Sequence, residues 1–151
     1  MSVHAQGTEY VTAWIADQLF GIPIQRVHDV FEADRLTRVP LAQPEIAGVL
    51  NLRGRVITAI DMRRRLGLPP RAEVKSQLAI GIDLNGEAYG LLVDGMGEVM
   101  KVPAGGLDPN PINLGRDWAR VSNGVFRLED RLLVVLDVDR ILDLELNTLA
   151  A

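Results

Sequence analysis

Short runs of alternating apolar and polar residues follow one another along the chain. Segments 9–16 and 78–84 alternate apolar with polar or small side chains, the two-residue period of a half-buried strand. Asn85-Gly86 after the second run predicts a tight hairpin, because both central residues of a type I′ turn need positive φ. Segments 55–60 and 131–136 are denser in apolar residues, as in strands buried on both faces. The pattern predicts an all-β fold.

The two halves of the chain resemble each other. Phe20-Gly21-Ile22 aligns with Tyr89-Gly90-Leu91 at an offset of 69 positions (20 to 89), and Gly48-Val49-Leu50 aligns with Gly124-Val125-Phe126 at an offset of 76 (48 to 124). The difference of seven residues falls before Gly124, in a Pro- and Gly-rich stretch that predicts a loop. A period near 70 is too long for a solenoid, so we expect two tandem modules.

Each module is predicted to form a small β-barrel, because curling removes the exposed edges of a short antiparallel sheet. The first barrel copy covers residues 9–70 and the second covers 76–137. Asp61 and Asp137 follow the dense strands and are placed to cap short helices. The second helix, predicted over 138–149, has an apolar face that we expect to pack across both barrels.

Composition excludes several functional classes. With 16 Lys and Arg against 20 Asp and Glu, the net charge of −4 disfavours binding to nucleic-acid phosphates. Cysteine is absent, which fits a reducing compartment such as the cytoplasm and removes thiolate metal sites. We expect no direct membrane insertion, since no apolar run approaches the roughly 18 residues of a membrane span.

The sequence offers no recognisable catalytic set. His4 and His28 are the only histidines, and none of the serines lies in a nucleophile elbow. We therefore predict no catalytic, cofactor-binding or metal-binding residue. The run Arg63-Arg64-Arg65 is interpreted as a solvated helix face.

One turn breaks the internal symmetry. Asn51-Leu52-Arg53-Gly54 in the first copy corresponds to Arg127-Leu128-Glu129-Asp130 in the second, so a cation in a glycine turn is replaced by two anions. Either loop tips vary freely, or the two turns serve different purposes.

Three segments carry a resemblance to the CheW-type chemotaxis coupling proteins. Residues 48–56 (GVLNLRGRV) with Asp61-Met62-Arg63 after them resemble that family's signature segment. Residues 20–30 and 90–99 resemble its two other recurrent stretches. The resemblance spans about residues 9–144, with Thr58 where the family commonly has proline and Asp29 where it has a longer acid.

The resemblance implies a single CheW-like domain over 1–151 with two intertwined five-stranded SH3-like barrels and no enzymatic activity. It implies a cytoplasmic scaffold that associates with membrane receptor arrays through its partners. Those partners would be the cytoplasmic tip of chemoreceptors, near the groove between the barrels, the regulatory domain of the chemotaxis histidine kinase, and other CheW-like domains in rings.

Carried over by motif, the resemblance assigns seven residues to receptor or kinase binding: Arg53, Gly48, Asn51, Val27, Asp29, Met96 and Val99. Two other readings stay open. The chain could be an adaptor of a related non-chemotactic two-component pathway, such as surface motility. It could also be a small-ligand-binding β-barrel protein, which would need a deep pocket with converging polar groups.

Overall fold

The computed structural model describes residues 7–70, 77–103 and 105–143. Within these ranges the strands are β1 (Thr8–Ile15), β2 (Gln18–Pro23), β3 (Val27–Glu32), β4 (Ile46–Leu52), β5 (Arg55–Asp61), β6 (Leu78–Leu84), β7 (Glu87–Val93), β8 (Gly95–Val102), β9 (Ser122–Arg127) and β10 (Leu132–Leu136). The helices are short: α1 (Met62–Arg65), α2 (Arg116–Val121) and α3 (Val138–Ile141), with single 3₁₀ turns at Ile24–Arg26 and Ile112–Leu114.

The strands form two five-stranded sheets, which confirms the all-β class. Sheet 1 has the order β8-β1-β2-β10-β9 and sheet 2 the order β3-β6-β7-β5-β4. Each sheet combines strands from both halves of the chain, so residues 9–70 and 76–137 are not two separate barrels in space. Two parallel strand pairs join the halves of the chain: β2 pairs with β10 in sheet 1, and β5 pairs with β7 in sheet 2.

The internal duplication is visible as matched strand pairing. Strands β1 to β5 correspond to β6 to β10, and the order of sheet 1 becomes that of sheet 2 when the copies are interchanged. Ile57 pairs with Ala88, and the equivalent Leu133 pairs with Leu19. The seven extra residues fall in the region that contains α2, a short helix inside the stretch predicted as a loop.

The predicted turns and caps occur at the expected residues. Asn85 and Gly86 have φ of 53° and 82° between β6 and β7. The Asp61 carboxylate accepts from Arg64 N, and that of Asp137 accepts from Asp139 N and Arg140 N. The helix predicted over 138–149 is shorter in the described residues, because α3 ends at Ile141 and Leu142 and Asp143 form a turn; residues 144–149 lie outside the described ranges.

Three apolar clusters hold the sheets. The central cluster joins both sheets with the helices and includes Phe20, Ile22, Ile80, Leu91, Val134, Met62, Val138 and Ile141. Sheet 1 encloses a second cluster around Tyr10, Phe126 and Leu133, and sheet 2 encloses a third around Leu50, Ile57 and Ala79. The described part of the C-terminal helix, α3, contributes Val138 and Ile141 to the central cluster; packing of the whole predicted helix across both barrels stays a prediction.

Each sheet is nearly closed by one bridge between the ends of its strand order. After β3, Thr37 exchanges two backbone hydrogen bonds of 2.8 Å with Val49 of β4. After β8, Asp108 makes the equivalent pair with Val125 of β9, at 2.8 and 2.9 Å. No longer ladder joins these end strands in the described ranges, so the predicted barrels are sheets closed by an isolated bridge.

The arginine run of α1 is not merely solvated, contrary to the prediction. Arg63 makes a bidentate ion pair with Asp94, with its Nη2 at 2.7 Å from Oδ2. Asp94 also accepts a hydrogen bond of 2.6 Å from Ala16 N. It therefore links α1, which follows β5 of sheet 2, to the turn between β1 and β2 of sheet 1. Arg65 donates to the carbonyl oxygens of Arg140 and Ile141 at the end of α3. The short helices are thereby joined across the molecule.

Candidate protein-docking site

The hairpin between β4 and β5 presents Arg53 at its tip. Arg53 and Gly54 have φ of 55° and 82°, the signs that a type I′ turn requires. The Asn51 Oδ1 accepts a hydrogen bond of 2.9 Å from Gly54 N and stabilises the turn. Left-handed backbone costs an ordinary L-residue roughly 1–2 kcal/mol. Arg53 is exposed in this conformation, so its side chain is available for contact with another molecule.

Arg53 and Asp29 line the same cavity on sheet 2. This sheet-2 groove has a volume of about 180 Å³ and lies at the open end of the sheet, lined by His28, Asp29, Leu52, Arg53, Arg55, Ile57, Gly81, Ile82, Asp83, Ala88 and Tyr89. The Asp29 carboxylate lies against Gly81 of the neighbouring strand, where any Cβ would collide with its Oδ1. The missing side chain at position 81 therefore makes room for Asp29.

Charges in the sheet-2 groove are only partly compensated. Arg55 pairs with Asp83 at 2.9 Å, and His28 Nδ1 lies 3.7 Å from the same carboxylate. Arg53 and Asp29 make no ion pair with another described residue. The groove thus offers one free cation and one free anion, which can orient a partner that carries complementary groups.

Gly48 has a structural role in the bridge that nearly closes sheet 2. Its φ is 154°, and a Cβ there would lie 2.6 Å from Thr37 O. The equivalent Gly124 has φ of 142°, and its Cβ would lie 2.5 Å from Asp108 O. Both copies therefore need a glycine here so that the bridging strand can approach, and this structural need accounts for Gly48 without a contact to another protein.

The other predicted residues are divided between the two sheets. Val27 on β3 and Met96 on β8 are equivalent positions, and both pack partly buried against the central cluster. Val99 on β8 is 53% exposed, and its equivalent on β3, Val30, is 44% exposed. The structure thus brings Asp29 and Arg53 together on sheet 2, with Asn51 supporting the turn, but places Met96 and Val99 on the other sheet.

Several lining residues of the sheet-2 groove were not singled out from the sequence. Arg55 lies inside the signature segment, so its position was a usable signal. Asp83 and Gly81 belong to β6 in the other half of the chain. Only the pairing of β3 with β6 places them beside Asp29. No local pattern could reveal that neighbourhood.

A second groove occupies the equivalent end of sheet 1. This sheet-1 groove has a volume of about 650 Å³ and is lined by Thr12, Trp14, Leu19, Glu98, Met100, Arg127, Leu128, Glu129, Asp130 and Arg131. Positions 98, 128, 129 and 131 correspond to 29, 52, 53 and 55 of the other groove under the repeat offsets. Each groove is formed by one sheet, whereas the central cluster fills the space between the two sheets.

Other kinds of site receive no support from the described ranges. There, no three His, Asp or Glu side chains are grouped as metal ligands. Likewise, none of the helices in this part of the chain has the length and apolar character that crossing a bilayer requires.

Two duplicated sheets that each present a groove with a charged rim are suited to contacts with other proteins. The model of the CheW-like domain matches residues 9–146, and the chain therefore belongs to the CheW-like family. The family assignment confirms the resemblance carried by residues 48–56.

Similar proteins agree with this assignment. The chain is 29% identical over 139 residues to the chemotaxis protein CheW of Bacillus subtilis, covering 92% of this chain and 89% of that protein. It is 28% identical over 134 residues to the chemotaxis protein CheW of Helicobacter pylori, covering 89% and 81%. The crystal structure of the scaffolding protein TtCheW from Thermoanaerobacter tengcongensis matches with a TM-score of 0.78 at 27% identity, covering 87% of this chain and 90% of that one. At the level of the family, the predicted non-enzymatic scaffold is confirmed.

Proposed function

We propose that this chain is an adaptor that couples transmembrane chemoreceptors to the chemotaxis histidine kinase in signalling arrays. The observation that carries the proposal is Arg53, held in left-handed backbone at an exposed tip beside Asp29, in a chain of the CheW-like family. A residue that costs folding energy and makes no ion pair within the described structure is suited to an intermolecular contact.

The resemblance places the receptor tip near the groove between the barrels, but Arg53 lines the groove of sheet 2 alone, so we assign the receptor contact to the sheet-2 groove. A receptor's helical tip would bury apolar side chains against Leu52, while Arg53 pairs with a carboxylate or a terminal carbonyl of the helix. Asp29 would select a cation on the same partner. Exposed Val99 and the partly buried Met96, both on β8, are assigned to a separate contact on sheet 1.

Coupling by a scaffold requires contacts whose free energy depends on the state of the receptor. A partner that binds the kinase-on and kinase-off arrangements equally shifts nothing. The adaptor would transmit a signal because rearrangement of the receptor tip changes how well it fits between Arg53 and Asp29.

The proposal is tested by calorimetry with two ligands, a receptor-tip fragment and the kinase regulatory domain from the same organism. Arg53→Asn is the variant of choice, because asparagine tolerates left-handed backbone and the turn is preserved. We expect binding to both ligands by the wild type and a loss of receptor affinity of about ten-fold or more for Arg53→Asn, as for removal of a charged hydrogen bond.

Arg116→Asn is the matched control, since Arg116 is an exposed arginine at the start of α2, outside both grooves. It should bind the receptor fragment as the wild type does. Absence of binding to both ligands by the wild-type chain would rule out chemotactic coupling. Equal receptor affinity for Arg53→Asn and wild type would show that Arg53 does not contribute to receptor binding.

A further inference from the structure

His28 is the extra residue of a β-bulge on β3. Val27 pairs with Ile82 of β6, and Asp29 pairs with Gly81. Because positions 81 and 82 are adjacent, His28 is left without a partner on β6. A bulge changes the direction of a side chain, and bulges are common beside functional sites. The His28 side chain is 58% exposed and lines the sheet-2 groove, so the bulge presents an imidazole at the rim of that groove.

The His28 imidazole lies near a carboxylate of the neighbouring strand. Its Nδ1 is 3.7 Å from Oδ2 of Asp83, and the other oxygen of that carboxylate accepts a hydrogen bond of 2.9 Å from Arg55. A small pocket of about 150 Å³ beside the groove is lined by the same pair together with Gln25, Arg26 and Val27. Asp83 thus lies between a permanent cation and a side chain that can take up a proton.

The charged and titratable groups around His28 come from both halves of the chain. Those that line the two pockets are Arg26, Asp29, Arg53, Arg55, Asp83 and Tyr89. Arg26 pairs with Asp139 at 3.2 Å, and the Tyr89 hydroxyl donates to Glu87 at 2.8 Å. The sheet-2 groove itself contains two arginines and two aspartates, so its charges cancel while His28 is neutral. Protonation of His28 leaves the groove with one net positive charge.

The other copy lacks this arrangement. Under the offset of 69 positions, His28 corresponds to Gly97 (28 to 97) and Trp14 corresponds to Asp83 (14 to 83). Gly97 lies at the bulge of β8, where any Cβ would collide with Oγ1 of Thr12. Sheet 2 has a glycine at the position equivalent to Thr12, which leaves room for a side chain at its bulge. The pair of imidazole and carboxylate therefore belongs to the sheet-2 groove and not to the duplicated fold.

Protonation of His28 would change the electrostatics of the groove. Histidine is the side chain that changes charge between about pH 5 and pH 8. While His28 is neutral, Arg55 alone compensates Asp83. Once His28 is protonated, two cations share that carboxylate, and the excess positive charge attracts an anion that lies beside Arg53. Linkage requires the reverse effect as well, so binding of an anion favours the protonated imidazole and takes up protons.

We propose that His28 is a pH-dependent specificity residue of the sheet-2 groove, which strengthens the binding of a partner's carboxylate when the imidazole is protonated. As the pH falls, the groove favours an acidic partner over one that places a cation against Asp29. The inference concerns the regulation of the proposed receptor contact and rests on that proposed function.

The test measures binding of a receptor-tip fragment to the full chain by calorimetry at about pH 6 and about pH 8. For the wild type we expect an affinity about two- to five-fold higher at the lower pH, the size of one exposed charge interaction. Calorimetry at about pH 7 in two buffers of different ionisation enthalpy should show proton uptake on binding. His28→Gln should lose both effects. His28→Lys, which is cationic at both pH values, should bind with the higher affinity at both.

His4→Gln is the matched control, because His4 is the only other histidine of the chain. It should show the pH dependence of the wild type. Equal pH dependence in wild type and His28→Gln would overturn the inference and leave the receptor contact intact, since another group would then be titrating. Binding by His28→Lys as weak as that by His28→Gln would also overturn it, because the charge would not be the cause. Absence of binding at both pH values would reject the proposed receptor contact and this inference with it.

Discussion

Gly48→Ala tests whether the signature glycine serves the fold. A Cβ at this position would lie 2.6 Å from Thr37 O, so the backbone of one strand must move. The two hydrogen bonds between Thr37 and Val49, both 2.8 Å, would be weakened or lost. Each contributes about 1 kcal/mol, and the positive φ costs an alanine roughly 1–2 kcal/mol. We expect the free energy of unfolding to fall by about 3–4 kcal/mol.

The measurement is urea unfolding of the wild type and variant, followed by far-ultraviolet circular dichroism. A thermal scan should show a fall of about 10 °C, at 2–4 °C for each kcal/mol in a chain of this size. Gly54→Ala is the control, since Gly54 also has positive φ but no atom lies within 4 Å of its Cβ position. It should lose only the conformational cost of roughly 1–2 kcal/mol.

Equal stability of the two variants would refute the reasoning, because it would mean that the bridge between Thr37 and Val49 adapts without cost. Gly124→Ala provides a second check, since its Cβ would lie 2.5 Å from Asp108 O and it should resemble Gly48→Ala. If receptor binding by Gly48→Ala falls only in proportion to the unfolded fraction, its role in binding is indirect.

Three further substitutions test other parts of the structure. Gly81→Ala should displace the Asp29 carboxylate from the sheet-2 groove and weaken receptor binding in calorimetry with little loss of stability; unchanged binding would count against Asp29. Leu41→Asn should raise the free energy of unfolding by about 1 kcal/mol, because Leu41 is fully exposed with φ of 64° in the turn after Pro40. Arg63→Leu should lower the unfolding free energy by about 1–3 kcal/mol, because it removes the bidentate hydrogen bonds between the Arg63 guanidinium and the half-buried Asp94 carboxylate; an unchanged urea midpoint would refute a stabilising role for that pair.

Turn chemistry and capping were readable from the sequence because they depend on neighbours in the chain. Asn85-Gly86 needs positive φ at two successive residues, and Asp61 caps the helix that begins at the next position. α2 was missed because only six residues after Gly115 form it, too few for a helical period to be visible.

The candidate site was only partly predictable for the same reason. Arg53 and Asn51 belong to one local turn, and the signature segment marks them. Asp29, Gly81 and Asp83 come together only through the pairing of β3 with β6, which are separated by two other strands in the chain.

The sequence by itself determined the strands, the turns, the caps and the duplication, because the alternation of apolar residues and the repeat offsets are properties of the chain. Which strands share a sheet was decided by tertiary structure alone. The apolar alternation in β2 and β7 does not specify their neighbours, because local pattern does not distinguish pairing within one half from pairing between the halves. Parallel pairing with β10 and β5 joins the halves, since it buries the central cluster between two sheets that neither half could cover alone.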